Sequence, residues 1–269
     1  MSNTIRVLCL GDVVGRPGRR VIRECLAETI KEQRIDFSIV NIENCTNGIG
    51  PRKKEADELL AYGIDCMTSG DHIYDHPEIN DWLASSDKLL RPENYDLPGK
   101  GAAIYKCGKI KVGVINAAGE VFMKERKNQS NGFHAVDNAI RRLREETNLI
   151  FLDFHGEVTS EKIAMGWFCD GRISGVFGSH THVQTADARV LPKGTGYITD
   201  LGMTGPHDGV IGRLKEAVLE RFTENKKTYM SVAKGDLRMN GVIFEVDTKT
   251  GKCVGVEIFS KTLADDLAE

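Results

Sequence analysis

The chain has 269 residues, and 36 lysines and arginines stand against 39 aspartates and glutamates, for a formal net charge of −3. That length can bury one large core, so a single domain over 1–269 is expected, while the charge balance excludes a bulk electrostatic footprint for duplex DNA or an acidic membrane. The seven cysteines are odd in number, scattered and never spaced as CxxC, which excludes a disulfide framework or a zinc ribbon.

Strand-like runs occupy 5–10, 37–42, 65–68, 111–116, 148–154, 175–178 and 196–199, and helical patterns fall between many of them. The clearest helix covers 17–33: Pro17 suits a first helical position, and Val21, Ile22, Cys25, Leu26 and Ile30 share one face. Further helices are expected at 53–61, 77–83, 135–146, 160–168 and 214–222. This alternation argues an α/β layered fold. Near the C-terminus, 241–246 and 253–259 read as a hairpin turning over 248–251, so the sheet should be mixed. The polar stretch around 120–133 reads as a surface excursion or lid. The N-terminus enters its first strand without a signal-peptide pattern, and no apolar stretch approaches about 18 residues, so a cytoplasmic protein with no membrane partner is expected.

Short polar clusters follow five of these strands: Asp12, then Glu43 and Asn44, then Asp71 and His72, then His155, then His180 and His182. Ligands in open α/β sheets gather outside the carboxyl ends of strands, so position and residue type agree. Taken singly, Asp12 reads as a helix cap and His155 as a core histidine. Together they supply the carboxylate, amide and imidazole donors of a dinuclear metal site. In His180-x-His182, alternation puts both rings on one side of an extended segment. The glycines from Gly11 to Gly18 do not form a dinucleotide loop, because Val13 stands where GxGxxG needs its second glycine.

These stretches, above all GDVVGRPGR from Gly11, NIEN from Asn41, DFHGEVTSEK from Asp153, GSHTHVQTAD from Gly178 and YITDLGMTGPHDGVIG from Tyr197, resemble the YmdB-like branch of the calcineurin-type metallophosphoesterases. The resemblance implies a four-layer αββα sandwich with two central mixed β-sheets. It also implies a phosphodiesterase acting on small phosphodiesters such as 2′,3′-cyclic nucleotides, by in-line attack of a metal-bridging hydroxide. By the same resemblance Asp12 and His182 hold one metal with Asn44 contributing to ligation or phosphate contact, and Glu43 bridges. Asp71, His155 and His180 hold the second metal, while His72 contacts phosphate and protonates the leaving oxygen. Asp75, three residues on, can orient His72 or cap the helix before Pro77. Two transition-metal ions are implied, iron or manganese first and zinc next.

Val14 stands where the wider superfamily has the histidine of an Asp-x-His opening. The wider pattern also reads Gly-Asn-His, and here it is Gly70-Asp71-His72. With two divalent ions, Asp12, Glu43 and a bridging hydroxide, an asparagine site carries one net positive charge, which an ionised Asp71 cancels. Asp71 is therefore expected to lower activity or to favour a more highly charged metal pair. Two rival readings are a regulatory or RNA-associated metal protein with weak turnover and a phosphomonoesterase resembling a 5′-nucleotidase. A homo-oligomer is expected for an α/β enzyme of this size. The turn-rich segment 202–209 is expected to line the pocket, with His207 the weakest of the candidates.

Overall fold

Leu8 and Leu10 of the first strand face one side and Val7 and Cys9 the other, and all four are fully buried. A strand buried on both faces must lie inside layers, and the rest of the chain supplies them. The computed structural model describes residues 3–124 and 129–264. In chain order its elements are β1 (Thr4–Leu10), β2 (Asp12–Val13), α1 (Gly15–Glu32), β3 (Phe37–Asn41), α2 (Lys53–Ala61), β4 (Cys66–Thr68), α3 (Ile79–Ser85), β5 (Ala102–Cys107) and β6 (Ile110–Ala118). They continue with α4 (Gly132–Arg144), β7 (Ile150–His155), α5 (Thr159–Cys169), β8 (Gly175–Ser179), β9 (Arg189–Val190), β10 (Gly196–Ile198), β11 (Met203–Pro206), α6 (Lys215–Glu224), β12 (Leu237–Asp247) and β13 (Cys253–Thr262).

The first sheet runs β2-β11-β12-β1-β3-β4, with β13 on β12, and the second runs β5-β6-β7-β8-β10-β9. Both are mixed: β1, β3 and β4 are parallel while β12 is antiparallel to β1, and β6, β7, β8 and β10 are parallel between antiparallel β5 and β9. Three apolar layers result. Val21, Ile22 and Leu26 of α1 and Leu59 of α2 pack with Leu8, Leu10 and Val40 of the first sheet. Val7, Cys9 and Ile39 meet Phe151 and Phe177 between the sheets, and Val136, Ile140 and Met165 of α4 and α5 cover Ile150, Leu152 and Phe154. This is the expected αββα sandwich.

Several details differ from expectation. Strands β2, β5, β9 and β11 are additional, and β12 begins at Leu237, before the expected 241. The turn-rich segment after Gly202 contains β11, which pairs in parallel with β2 and antiparallel with β12. Gly11 makes room for it: a Cβ there would lie 1.9 Å from the Gly202 carbonyl oxygen. The cysteines are free and, Cys107 apart, buried. Of the expected excursion at 120–133, residues 125–128 lie outside the described residues. Its flanks are tied, with Glu161 accepting from the Glu120 amide at 2.9 Å and Asn131 capping α4 through the Phe133 and His134 amides.

Candidate metal centre

Each predicted polar cluster sits where its strand ends, and all five converge. Asp12 lies in β2, past the bend at Gly11, and is fully buried. It caps nothing, because the N-cap of α1 is Val14 with no side-chain cap. Glu43 and Asn44 follow β3, Asp71 and His72 follow β4, His155 is the last residue of β7, and His180 follows β8.

The tightest grouping surrounds His155 Nε2, which lies 2.7 Å from Glu43 Oε2, 3.4 Å from Asp71 Oδ1 and 3.0 Å from His180 Nδ1. Beside it, His182 Nε2 lies 3.0 Å from Asn44 Oδ1 and 3.9 Å from Asp12 Oδ1. Burial opposes a charge on His155, yet Glu43, Asp71 and Asp12 raise its pKa well above that of free imidazole. Burial also raises Glu43, against the pull of His155. Burial pushes Asp71 the same way, but His155, His72 and His180 outweigh it and hold that carboxyl well below the usual carboxylate range. Burial and the neighbouring His155 push His180 down to about 3, so that ring is a neutral donor.

Three buried carboxylates around one imidazole mark a place built for a cation. Two further observations agree. Asp12 Oδ1 is enclosed and accepts no hydrogen bond among the described residues. At Gly70 a Cβ would fall 1.8 Å from Glu43 Oε2 and 2.2 Å from His155 Nε2, so only glycine leaves the cradle open. Asp71, His155 and His180 form one convergent donor set, Asp12, Glu43 and His155 a second, and Glu43, Asp71 and His72 a third. Mixed oxygen and nitrogen donors of this kind suit a first-row transition metal.

The chain supports these donors with residues that the strand-end pattern did not single out. Asp153, two residues before His155 on the inter-sheet face of β7, accepts from Ser179 Oγ at 2.6 Å, Thr68 Oγ1 at 2.5 Å and Asn41 Nδ2 at 2.9 Å. Ser179 Oγ in turn lies 2.9 Å from His155 Nδ1, which fixes the ring with Nε2 toward the donor cluster. Burial raises the Asp153 pKa to about 6. Behind the His180-Thr181-His182 turn, Asp200 accepts from Lys162 Nζ at 2.6 Å and from Thr181 Oγ1 at 2.7 Å, and both charged side chains are buried. The turn needs that hold, since His180 has φ 96° and His182 φ 63°. Non-glycine residues there cost roughly 1–3 kcal/mol each. The Ile211 carbonyl oxygen, 3.0 Å from His182 Nδ1, orients the second ring.

His72 stands at the rim of the cluster. Its Nδ1 contacts Asp75 Oδ2 at 2.5 Å, and its Nε2 is 4.0 Å from Asp71 Oδ2. Asp75 therefore orients His72; it does not cap α3, whose N-cap is Glu78. The cluster floors a cavity of about 270 Å³ that Val14, Ile211 and Arg213 also line. His207 lies in a neighbouring hollow, with Nδ1 3.0 Å from the Gly205 carbonyl oxygen and Nε2 3.1 Å from Asn240 Nδ2, outside this cavity.

Known proteins share this plan. The 2′,3′-cyclic-nucleotide 2′-phosphodiesterase of Bacillus subtilis (strain 168) is 42% identical over 255 residues, 94% of this chain and 96% of that protein. A crystal structure described as a novel phosphatase from Mycoplasma pneumoniae superposes with a TM-score of 0.90 at 34% identity, covering 97% of this chain and 95% of that one. That of a hypothetical protein from Thermus thermophilus gives 0.87 at 35% identity, covering 97% and 100%. The family model described as YmdB-like protein matches residues 8–259. The chain belongs to the YmdB-like protein family.

Proposed function

We propose that the protein is a dinuclear-metal phosphodiesterase that hydrolyses small phosphodiesters, 2′,3′-cyclic nucleotides foremost. The observation that carries this reading is the three overlapping donor sets, two of them sharing Glu43, beside a cavity that Glu43, Asn44, His72, His180 and His182 line. Asp12, Asn44 and His182 would hold one ion and Asp71, His155 and His180 the other, with the Glu43 carboxylate shared between them. Bound there, the ions supply a hydroxide-like nucleophile near neutral pH and neutralise phosphate charge. Iron and manganese suit the donors, and zinc is the next choice.

Asn44 and His72 face the substrate. Because Asp75 engages His72 Nδ1, the other ring nitrogen is free to give a proton to the departing ribose oxygen, a contribution of typically 10²- to 10⁴-fold. Water adds across the bond from phosphorus to the 2′ oxygen, that oxygen leaves as the hydroxyl, and a 3′-phosphomonoester remains. The Bacillus relative, a 2′-phosphodiesterase by name, supports this regiochemistry. The two sheets share one buried interface and both feed the site, which supports a single functional unit. No helix among the described residues is long and apolar enough to cross a membrane, and a cytoplasmic setting is part of this reading. The exposed Leu219, Phe222 and Tyr229 on and beside α6 support association with a second copy, which sedimentation would reveal.

His72→Ala is expected to keep both metal equivalents by elemental analysis while slowing hydrolysis of bis-p-nitrophenyl phosphate by about 10²-fold or more. Loss of metal would make His72 a ligand. A chelator should abolish the wild-type activity; a regulatory protein would have none to lose. The phosphatase description of the Mycoplasma structure favours a monoesterase as the second reading, and p-nitrophenyl phosphate in parallel decides between them.

A further inference from the structure

A second hollow, of about 370 Å³, adjoins the metal cavity. Arg16 and Arg20 of α1, Asn47 and Lys234 line it, and no carboxylate does. Arg213 lines the metal cavity with Gly48 and donates to the carbonyl oxygens of Gly48 and of Asn47, the latter at 3.2 Å, and Asn47 lines the second hollow. A third bond runs from Arg213 to the Met230 carbonyl oxygen at 2.8 Å, so its hydrogen-bond partners are all neutral.

Two other cations of α1 are paired, while Lys31 at its far end has no ion pair among the described residues. Arg19 engages Glu58, Arg23 engages Glu24, and Lys261 reaches Glu28 and Glu32 from β13. Arg16, Arg20 and Lys234 have no ion pair among the described residues, and they are exposed or half-exposed. Arg16 and Arg20 stand on one face of α1, about 6 Å apart along its axis. No acid occupies the first turn of that helix, so its positive end adds to theirs. In a chain whose acids outnumber its bases, this hollow is a local inversion of charge beside the cavity.

A 2′,3′-cyclic phosphate forms when a ribose 2′-hydroxyl attacks the adjoining phosphorus and expels the 5′ oxygen of the next nucleotide. Transesterification of RNA is therefore the reaction class that supplies it, and the resulting end still carries phosphodiesters on its 5′ side. A free cyclic nucleotide has a single phosphate, which the metal centre takes, and nothing to offer three more cations. Resting on the phosphodiesterase reading, we propose that Arg16, Arg20 and Lys234 bind the upstream phosphates of single-stranded RNA that ends in a 2′,3′-cyclic phosphate. Oligonucleotide ends, more than free cyclic nucleotides, are then the preferred substrate.

The test compares the metal-loaded enzyme on 2′,3′-cyclic AMP and on a tetra-adenylate with a terminal 2′,3′-cyclic phosphate. Three backbone contacts give a logarithmic salt slope of about −2, so between about 50 and 200 mM potassium chloride kcat/KM for the tetranucleotide should fall about 20-fold further than for the mononucleotide. A combined Arg16→Ala, Arg20→Ala and Lys234→Ala variant should remove that extra salt dependence and raise KM for the tetranucleotide about 10-fold or more, leaving 2′,3′-cyclic AMP hydrolysis unchanged. Arg16→Lys with Arg20→Lys should keep most of the preference and guards against a folding defect. Equal kcat/KM for the two substrates, or equal losses on both in the alanine variant, overturns the proposal. If neither substrate is hydrolysed, the phosphodiesterase reading fails by itself. Fluorescence anisotropy with labelled hexa-adenylate then decides the hollow: weaker binding by the alanine variant supports it, and unchanged binding overturns it.

Discussion

The two halves of the proposed metal centre are built differently. Around His155 the donors crowd within 3.4 Å of one ring nitrogen, Asp71 and Glu43 bring two carboxylates, and the donors come off neighbouring strands of each sheet, β3 and β4 in one and β7 and β8 in the other. Behind them the Asp153 layer locks the ring from below. Around His182 the donors stand farther apart, with one carboxylate of their own, an amide, and a ring steadied by a loop carbonyl. Greater charge and stiffer support favour tight binding, whereas a looser and less charged set favours exchange and leaves room for substrate oxygens. The first half should therefore fill first and the second half last.

The strongest way to break that contrast is His155→Ala. Removing the shared centre of the first half should cost about 10³-fold or more in turnover and leave less than one equivalent of metal by elemental analysis. His182→Ala should be milder, with one equivalent retained and turnover down about 10²-fold. Equal metal loss in the two variants would show the halves to be alike. Next in size comes Ser179→Ala, which cuts the link from Asp153 to His155. It should weaken manganese binding at the first half by about 10- to 100-fold in chelator competition while sparing the second. The smallest effect is expected from Asp71→Asn, because the donor oxygen stays and only its charge goes. Hydrolysis of the diester with divalent metal should rise several-fold, and any ferric content should fall; unchanged rate, affinity and metal content would remove Asp71 from the account of charge.

The convergent donor cluster was legible in the sequence because strand runs announce their own ends, and aspartate, glutamate or histidine just beyond five of them is conspicuous. The layered fold followed from the same alternation. What supports the ligands was harder to see. Asp153 shares its face of β7 with Phe151 and His155, and a carboxylate amid buried strand residues is a signal that a reading of strand ends alone passes over. Asn41, Thr68 and Ser179 are small polar residues whose importance depends on strands from two sheets meeting, which no local pattern encodes. Strands β2 and β9 have two residues each, too few for period-two alternation to register. Asp75 was ambiguous because Pro77 advertises a helix start, while α3 begins only at Ile79 and frees the carboxylate for His72.

The Lys162–Asp200 pair beneath the His180-Thr181-His182 turn bears on which metal the protein carries in a cell. Zinc fingers fold only when their ion arrives, so their ion is chosen by the energy of folding itself. Here a buried ion pair and Thr181 hold the turn in its unfavourable backbone conformation, so the hold on the two rings comes from the chain itself. Such a site presents the same oxygen and nitrogen atoms to every incoming first-row ion, and its intrinsic preference follows the general affinity series. Occupancy is then set by the supply of ions at the time of loading, and the same chain grown on different metals should emerge as different holoproteins.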